Sequence, residues 1–303
     1  MIELTQLQAK IRQHLPDLEV RFWEPMSKHT SFRIGGPAEV MAFPKNTDEL
    51  KDLLHVSRML DCTPAILGAG TNILAPDDGL KGIVICLKDG LDGLELLDNN
   101  RICVGAGVSM ARAAVFAANN GLGGLEFAHG IPGTVGGGVY MNAGAYGGDI
   151  SMVCESVQAM TPDGQVHTYS AQEMCFSYRH SRLEDEAAIV LAAVFYLTPK
   201  PEDEIRAVMQ DLMSRRKTSQ PLDKPSAGSA FKRPVNGYAA ALIDQTGLKG
   251  YRIGDAAVSD KHAGFVVNLG SATAADVQKL LHSVAEKVLD ATGVQLEPEV
   301  RIW

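Results

Sequence analysis

The chain has 303 residues, 46% hydrophobic and 21% charged, which predicts a globular protein with room for two or three lobes. Its formal charge of −8 argues against a general nucleic-acid surface, so an anionic substrate would have to meet a local cluster of arginine and lysine. Five cysteines without a C-x-x-C pair and eight histidines without ligand spacing predict neither disulfides nor a metal site. Without a recognisable signal segment or membrane-spanning apolar run, we expect a cytoplasmic protein.

The first predicted elements form a mixed α+β lobe. Apolar residues at helical spacing predict a helix near the N-terminus and a second helix that begins at Thr47 as its N-cap. A turn over residues 30–37 and a strand over residues 40–43 separate them. The apolar positions assigned to the two helices are Leu4, Leu7, Ile11, Leu15, Leu50, Leu53, Leu54 and Leu60.

A glycine loop follows the short strand predicted for residues 65–67. The loop reads GAGTN over residues 68–72 and continues into Ile73 and Leu74. It is not the G-x-G-x-x-G dinucleotide fingerprint, because the third glycine is missing and a turn over residues 76–79 ends the segment. No Walker motif is present either. The loop still predicts a backbone cradle for a ligand.

Further strands are predicted over residues 83–85, 95–97 and 101–104. Ser109 then caps a helix that runs to about Asn120.

Residues 130–147 form the most informative segment, GIPGTVGGGVYMNAGAYG. Seven of its eighteen residues are glycine, yet its apolar and aromatic residues exclude a solvated linker, and we expect neither a linker nor a helix. Exposed backbone N–H groups at such a density favour a phosphorylated ligand, here a dinucleotide cofactor. A tight barrel corner or a glycine-rich turn is the alternative. Two cradles suggest a cofactor that lies between two lobes.

The second half of the chain contains strands over residues 153–160, 166–169 and 189–197, with a hairpin turn at 162–164. Pro201 is expected at the first position of a helix, and another helix covers about residues 276–289 and closes at Gly293. The last strand should span residues 294–302, with Gln295, Glu297, Glu299 and Arg301 on one face. The buried stripe expected on the Pro201 helix is Ile205, Val208, Met209, Leu212 and Met213.

Three polar clusters lie outside the glycine segments, and each also has an ordinary structural explanation. FSYRHSR places an arginine beside a tyrosine, as a surface loop can. SAGSAFKRP puts a serine hydroxyl on a turn of small residues, without the G-x-S-x-G motif of a hydrolase. The two glutamates of the last strand could be solvated carboxylates. The residues concerned are Tyr178, Arg179, Ser229, Glu297 and Glu299.

Over about residues 21–301 the chain resembles the UDP-N-acetylenolpyruvoylglucosamine reductase family. The resemblance lies, in order, in HTSFRIGGPA, LGAGTNIL, GIPGTVGGGVYMNAGAYGG, FSYRHS, QPLDKPSAGSAFKRP, GLKGYRIGDAAVSDKHAGF and LEPEVRIW. It implies an α+β fold with a two-lobed FAD-binding region of the vanillyl-alcohol-oxidase (PCMH) type and a C-terminal α+β substrate domain. The expected boundaries are 1–90, 91–199 and 200–303.

The family implies a flavoenzyme of peptidoglycan precursor synthesis that reduces UDP-N-acetylglucosamine enolpyruvate to UDP-N-acetylmuramate with NADPH. FAD is expected to be non-covalent, because neither glycine segment contains a histidine or cysteine. We expect no nucleic-acid, membrane or obligate protein partner. The short spacing between Arg179 and Ser229 resembles the shorter, second type of the family. Departures from common family residues are Thr71, Gly138, Asp255 and Ala257.

Matched motif by motif, the resemblance implies specific roles. The catalytic residues would be Arg179, Ser229 and Glu299, and the substrate-binding residues Tyr178, Lys217, Lys232, Arg233 and His262. The cofactor-binding residues would be Gly68, Ala69, Gly70, Thr71, Asn72, Ile73, Leu74, Gly130, Ile131, Pro132, Gly133, Thr134, Val135, Gly137, Asn142, Ala143 and Gly144.

The chemistry suits these residue types. Hydride addition to C3 of the enol ether moves charge onto its carboxylate, which Arg179 can hold with two hydrogen bonds, and Ser229 would then protonate C2. Three alternatives stay open: another FAD-dependent oxidoreductase of the same fold, acting on a hydroxy acid or sugar; a nucleotide-binding module without turnover; and a serine hydrolase with His262 as base.

Overall fold

The computed structural model describes residues 5–235 and 237–303, so the predicted helix position Leu4 lies outside the described residues. The chain divides into two compact units. The first comprises the chain up to residue 22, residues 40–69 and residues 82–215; the second comprises residues 23–39, 70–81 and 216–303. The predicted division at residues 90 and 199 stays a prediction.

The described part of the chain forms α-helices, short 3-10 helices and mostly short strands. The helices are α1 (Gln6–His14), α2 (Thr47–Met59), α3 (Met110–Asn119), α4 (Val135–Tyr140), α5 (Arg182–Asp185), α6 (Glu202–Ser219), α7 (Ala239–Gln245) and α8 (Ala274–Thr292), with 3-10 turns at Met26–Lys28, Glu126–Gly130 and Ile150–Met152. The strands are β1 (Val20–Pro25), β2 (Pro37–Ala42), β3 (Ala65–Leu67), β4 (Ile73–Leu74), β5 (Leu80–Cys86), β6 (Leu94–Leu97), β7 (Arg101–Gly105), β8 (Leu122–Gly123), β9 (Gly144–Ala145), β10 (Gly148–Asp149), β11 (Cys154–Met160), β12 (Val166–Ser170), β13 (Ile189–Tyr196), β14 (Thr198–Pro199), β15 (Ser226–Ser229), β16 (Arg252–Ile253), β17 (Ala256–Val258), β18 (Phe265–Asn268) and β19 (Arg301–Ile302).

The first unit contains two hydrophobic clusters. In one, Leu50 and Leu53 of α2 pack with Ile83 and Ile85 of β5, in the sheet ordered β1-β2-β5-β3. In the other, the alanine-rich face of α3 packs on an antiparallel sheet ordered β12-β11-β13-β7-β6. Because alanine is small, α3 can lie close to this sheet and to the glycine segment beside it.

The second unit is built on α8, whose residues Val277, Leu280, Leu281, Val284 and Val288 are buried as predicted. Thr273 and Asp276 form a capping box, and Gly293 ends the helix at φ 72°. The sheet ordered β15-β18-β17-β16 belongs to this unit, as does the parallel pair β4–β19.

Most predicted elements are confirmed, and several details were wrong. The N-cap of α2 is Asn46, whose side chain accepts from Glu49 N, rather than Thr47; asparagine is the stronger cap. Val208 is 45% exposed, so it does not belong to the buried stripe of α6, and that helix begins one residue after Pro201.

The predicted strand over residues 294–302 is also wrong for most of its length, since β19 covers only Arg301–Ile302. Pro298 has no N–H to donate, and the segment around it makes single backbone bonds, from Lys232 N to Glu297 O and from Glu299 N to Ala230 O. The chain then turns to pair with β4. Among the described residues, no helix is long and apolar enough to span a bilayer.

Candidate functional site

The first glycine loop is held by close backbone approach. Gly70 has φ +62°, and a Cβ there would lie 2.0 Å from the carbonyl oxygen of His29. A Cβ at Gly68 would lie 2.6 Å from Oγ1 of Thr134, in the second glycine segment. The structure therefore brings the two predicted cradles together at Gly68 and Thr134 within the first unit.

The second glycine segment corrects an expectation, because Val135–Tyr140 form the short helix α4, capped by Thr134. The glycines serve mainly close packing: a Cβ at Gly136 would lie 2.9 Å from the Cβ of Ala106, and one at Gly138 would lie 2.7 Å from Sδ of Met110. Of the glycines in this segment only Gly133 and Gly147 have positive φ, at 134° and 86°.

Some backbone donors of this segment are already engaged. The N–H of Val135 donates to Val108 O at 2.8 Å, and that of Ile131 to Ala128 O at 3.0 Å. Any contact of these two residues with a cofactor would come from their side chains or carbonyls, and their assignment stays a prediction. The buried Nδ1 of His129, beside Gly130, has no hydrogen-bond partner among the described residues. An orphaned buried nitrogen next to a close-packed cradle fits a site that a polar cofactor completes.

Arg179 lies against this segment on a tight turn, where Ser177 and His180 exchange backbone hydrogen bonds. Its Nη2 donates to Gly144 O at 3.3 Å, and its guanidinium lies 5.0 Å from the ring centroid of Tyr178. The backbone of Arg179 has φ +57°, a strained conformation of the kind that concentrates at functional sites.

The amide of Asn142 fastens the Arg179 turn to the glycine segment. Its Nδ2 donates to Ser177 O at 3.0 Å, while its Oδ1 accepts from Ser151 N. Four predicted site residues, Tyr178, Arg179, Asn142 and Gly144, thus come together in the first unit.

Ser229 and Glu299 belong to the second unit, where the structure brings their backbones together. Ser229 is the exposed last residue of β15, and the next residue, Ala230, accepts a hydrogen bond from Glu299 N at 2.9 Å. The side-chain Nδ2 of Asn72 donates to Glu299 O at 3.1 Å, and Asn72 O accepts from Arg301 N. No sequence pattern indicates this link between the first glycine loop and the glutamate.

The predicted substrate-binding cations lie on the surface of the second unit. Lys232 forms an ion pair with Glu297, and the guanidinium of Arg233 lies 4.4 Å from the ring centroid of Tyr238, an aromatic that the sequence analysis missed. Lys217 lies in the last turn of α6, and its carbonyl accepts from Nζ of Lys261 at 2.6 Å. The described residues contain no group of three or more potential metal ligands.

His262 is half-buried and packs edge-on against Phe265 at 5.0 Å. Burial lowers its pKa below the ordinary value of 6.5. Its Nδ1 accepts from Gly264 N at 3.1 Å. The histidine of a hydrolase triad instead donates from Nδ1 to a carboxylate, so this geometry disfavours the hydrolase alternative.

Comparison with known proteins identifies the family and the fold of this chain. Residues 220–303 match the family model "UDP-N-acetylenolpyruvoylglucosamine reductase, C-terminal domain", and residues 38–170 match "FAD binding domain". UDP-N-acetylenolpyruvoylglucosamine reductase of Agathobacter rectalis is 46% identical over 303 residues, covering 96% of each chain; that of Syntrophomonas wolfei is 42% identical, covering 97% of this chain and 98% of the relative. The solved reductase of Thermus caldophilus has a TM-score of 0.77 and 35% identity, covering 94% of this chain and 98% of its own.

The chain belongs to the UDP-N-acetylenolpyruvoylglucosamine reductase family.

Family membership confirms the resemblance and the fold that it implies, a PCMH-type FAD-binding region followed by the reductase C-terminal domain. The reductase is an FAD-dependent oxidoreductase, a UDP-N-acetylmuramate dehydrogenase with NADPH as co-substrate. It forms UDP-N-acetylmuramate from the enolpyruvate for peptidoglycan, and hence for cell-wall growth, cell shape and cell division. Its substrates are small molecules. This activity replaces the three alternatives left open by the sequence.

Proposed function

We propose that Arg179, Ser229 and Glu299 carry out the reduction of the enolpyruvyl group. The observation that supports this most directly is the hydrogen bond from Glu299 N to Ala230 O, which sets the glutamate beside the strand end that presents Ser229. The glycine segments around residues 68–74 and 130–144 would hold FAD, which would supply the hydride chemistry between NADPH and C3 of the enol ether.

Arg179 would hold the substrate carboxylate, onto which negative charge moves as C3 gains the hydride. Its guanidinium is always charged and can donate two parallel hydrogen bonds to a carboxylate. The hydrogen bond to Gly144 O and the constrained backbone limit its freedom before substrate arrives, which reduces the reorganisation needed during the reaction.

Ser229 would donate the proton that C2 requires, and Glu299 would orient the serine or the substrate. A serine hydroxyl is a weak acid and is effective only when closely positioned. Lys232, two residues past the Ser229–Ala230 peptide, would ease its ionisation and contact substrate, provided that it leaves its ion pair with Glu297.

We propose that Lys217, Arg233, His262 and Tyr178 also bind the substrate, since cations and a neutral imidazole suit a nucleotide diphosphate sugar. The two glycine segments would hold FAD through the residues named above. The boundaries 1–90, 91–199 and 200–303 are the proposed domains. We also propose that the protein is cytoplasmic and that it needs no nucleic acid, membrane or obligate protein partner.

The decisive experiment is Ser229→Ala, followed by stopped-flow absorbance in two stages. Bleaching of flavin by NADPH needs no proton at C2, so we expect the wild-type rate. Anaerobic reoxidation by UDP-N-acetylglucosamine enolpyruvate should slow by about 10²–10⁴-fold. Ser271→Ala, an exposed serine of the same unit, is the matched control. Reoxidation of Ser229→Ala at the wild-type rate would exclude Ser229 as the acid.

A further inference from the structure

Ser31 joins two parts of the second unit that are far apart in sequence. Its backbone N–H donates to Gly70 O of the first glycine loop at 3.0 Å. Its hydroxyl donates to Ser226 O at 2.6 Å, with Gly70 O at 3.4 Å. Ser226 is the first residue of β15, the strand that ends at Ser229. One partly buried serine therefore contacts both the predicted flavin loop and the strand that presents the proposed acid.

The strand β15 needs such an anchor because it is bulged. Ser226 pairs with Val267 and Ser229 pairs with Phe265, so three steps along β15 match two steps along β18. Gly228, inside the bulge, has φ +76°, and a Cβ there would have no neighbour within 4 Å among the described residues. A bulge changes the direction of the following side chain, and its position decides where Ser229 points.

The neighbour of Ser31 anchors the partner strand at the same end. Phe32 O accepts from Nδ2 of Asn268, the last residue of β18, at 3.0 Å. Asn268 N in turn donates to Pro225 O, just before β15. Ser31 and Phe32 thus fix the unbulged end of the β15–β18 pair, and any slip has to occur at the Ser229 end.

We propose that Ser31 is a positioning residue of the reductase, whose hydroxyl holds the β15 bulge in the register that places Ser229 for proton transfer. The inference rests on the proposed role of Ser229. Because the N–H of Ser31 holds Gly70 independently of its side chain, the hydroxyl serves the proton-transfer strand, and its loss leaves the glycine loop in place.

The test compares three variants of the holoenzyme, Ser31→Ala, Ser31→Thr and Ser31→Val. Threonine and valine have nearly the same bulk and differ by the hydroxyl. In Ser31→Ala and Ser31→Val we expect flavin content and bleaching by NADPH as in the wild type, but anaerobic reoxidation by the enolpyruvate slowed by about 10- to 100-fold, the cost of a small misplacement. Ser31→Thr should reoxidise at the wild-type rate, and substrate affinity should change little in all three.

Ser57→Ala is the matched control, since the Ser57 hydroxyl donates to Leu53 O at 2.7 Å inside α2, an element of the first unit, whereas Ser31 and β15 belong to the second. It should lower thermal stability without separating the half-reactions.

Equal slowing of Ser31→Thr and Ser31→Val would overturn the proposal in favour of a bulk effect. So would loss of flavin from both Ser31→Ala and Ser31→Val. If Ser31→Ala reoxidises at the wild-type rate while Ser229→Ala is slow, the positioning role of Ser31 is overturned and the proposed function stands. If both variants reoxidise at the wild-type rate, the positioning role and the proposed function are both overturned.

Discussion

Single residues of this reductase carry unusual backbone and charge states. Arg179 combines a positive φ with a guanidinium that donates to Gly144 O. His262 combines burial with a hydrogen bond that leaves Nδ1 an acceptor. The Arg179 side chain is thereby held in place by its hydrogen bond, and the lowered pKa of His262 favours its neutral imidazole.

We expect Arg179→Lys to lower kcat/KM by about 10²-fold or more, because lysine keeps the charge but cannot offer two parallel donors to a carboxylate. Steady-state kinetics and the reoxidation half-reaction measure the loss. Arg182→Lys is the matched control, since Arg182 begins α5 just after the Arg179 turn but pairs with Glu186 at the surface. Comparable losses in both variants would show that the loop, rather than the guanidinium of Arg179, is responsible.

His262 gives a prediction for pH dependence. Its pKa is lower in the folded protein than in the unfolded chain, so between that lowered value and about 6.5 only the unfolded chain binds the proton. Stability should therefore fall as pH drops through this window, and rise as pH returns toward 7. Thermal unfolding from pH 5 to 8 should show a shallower acid loss for His262→Asn. His282→Asn, whose side chain is 76% exposed, should keep the wild-type profile.

At the scale of elements, glycine acts here through close packing. Gly136 lets α4 approach Ala106. At the adjacent Gly137, a Cβ would meet, apart from the helix backbone and among the residues that the structure describes, only Oγ1 of Thr134, at 3.7 Å. Because the two positions lie in one helix, comparing alanine substitutions at them separates the effect of crowding from that of helix propensity.

We expect Gly136→Ala to destabilise the apoprotein by about 1–3 kcal/mol, because a methyl group there meets the backbone of Ala106. Gly137→Ala should be neutral or stabilising by up to about 1 kcal/mol, because alanine loses less entropy in a helix. Denaturant unfolding of FAD-free protein measures both. Equal changes at the two positions would mean that α4 does not depend on the close approach.

Sequence patterns predicted helices and turns correctly where residues close in sequence determine the structure. The apolar periodicity of α8, its end at Gly293 and the hairpin at residues 162–164 depend on neighbours in sequence, and they are confirmed. The helix α4 was missed because glycine has a low helix propensity, and packing on Ala106 overrides it. The links from Ser31 to Ser226 and from Asn72 to Glu299 were missed because they join residues 195 and 227 positions apart, and such contacts leave no periodic signal.

At the scale of the whole molecule, the cofactor is expected to be part of the folded structure without a covalent bond. Neither glycine segment contains a cysteine or histidine, and His129 is the one candidate that adjoins them. Ligand that binds only the native state stabilises it by about 2.7 kcal/mol at one hundred times its Kd.

We expect acid precipitation to release all flavin absorbance into the supernatant, and FAD added to apoprotein to raise its Tm with concentration. A yellow pellet would contradict non-covalent binding. In that case His129→Gln shows whether His129 forms the bond, because the pellet of this variant would be colourless.

The pairing of β4 with β19 has a consequence for the order in which the protein folds. Ile73 and Leu74, at the end of the first glycine loop, pair with Arg301 and Ile302, and Asn72 binds Glu299 across 227 residues. Closing so long a loop is costly, and contacts of this range form late in folding. A nascent chain on the ribosome cannot make them until residues 299–302 have been synthesised. We therefore expect the first glycine loop to gain its last contacts, those of Asn72 with Glu299 and Arg301, only after this segment has been synthesised.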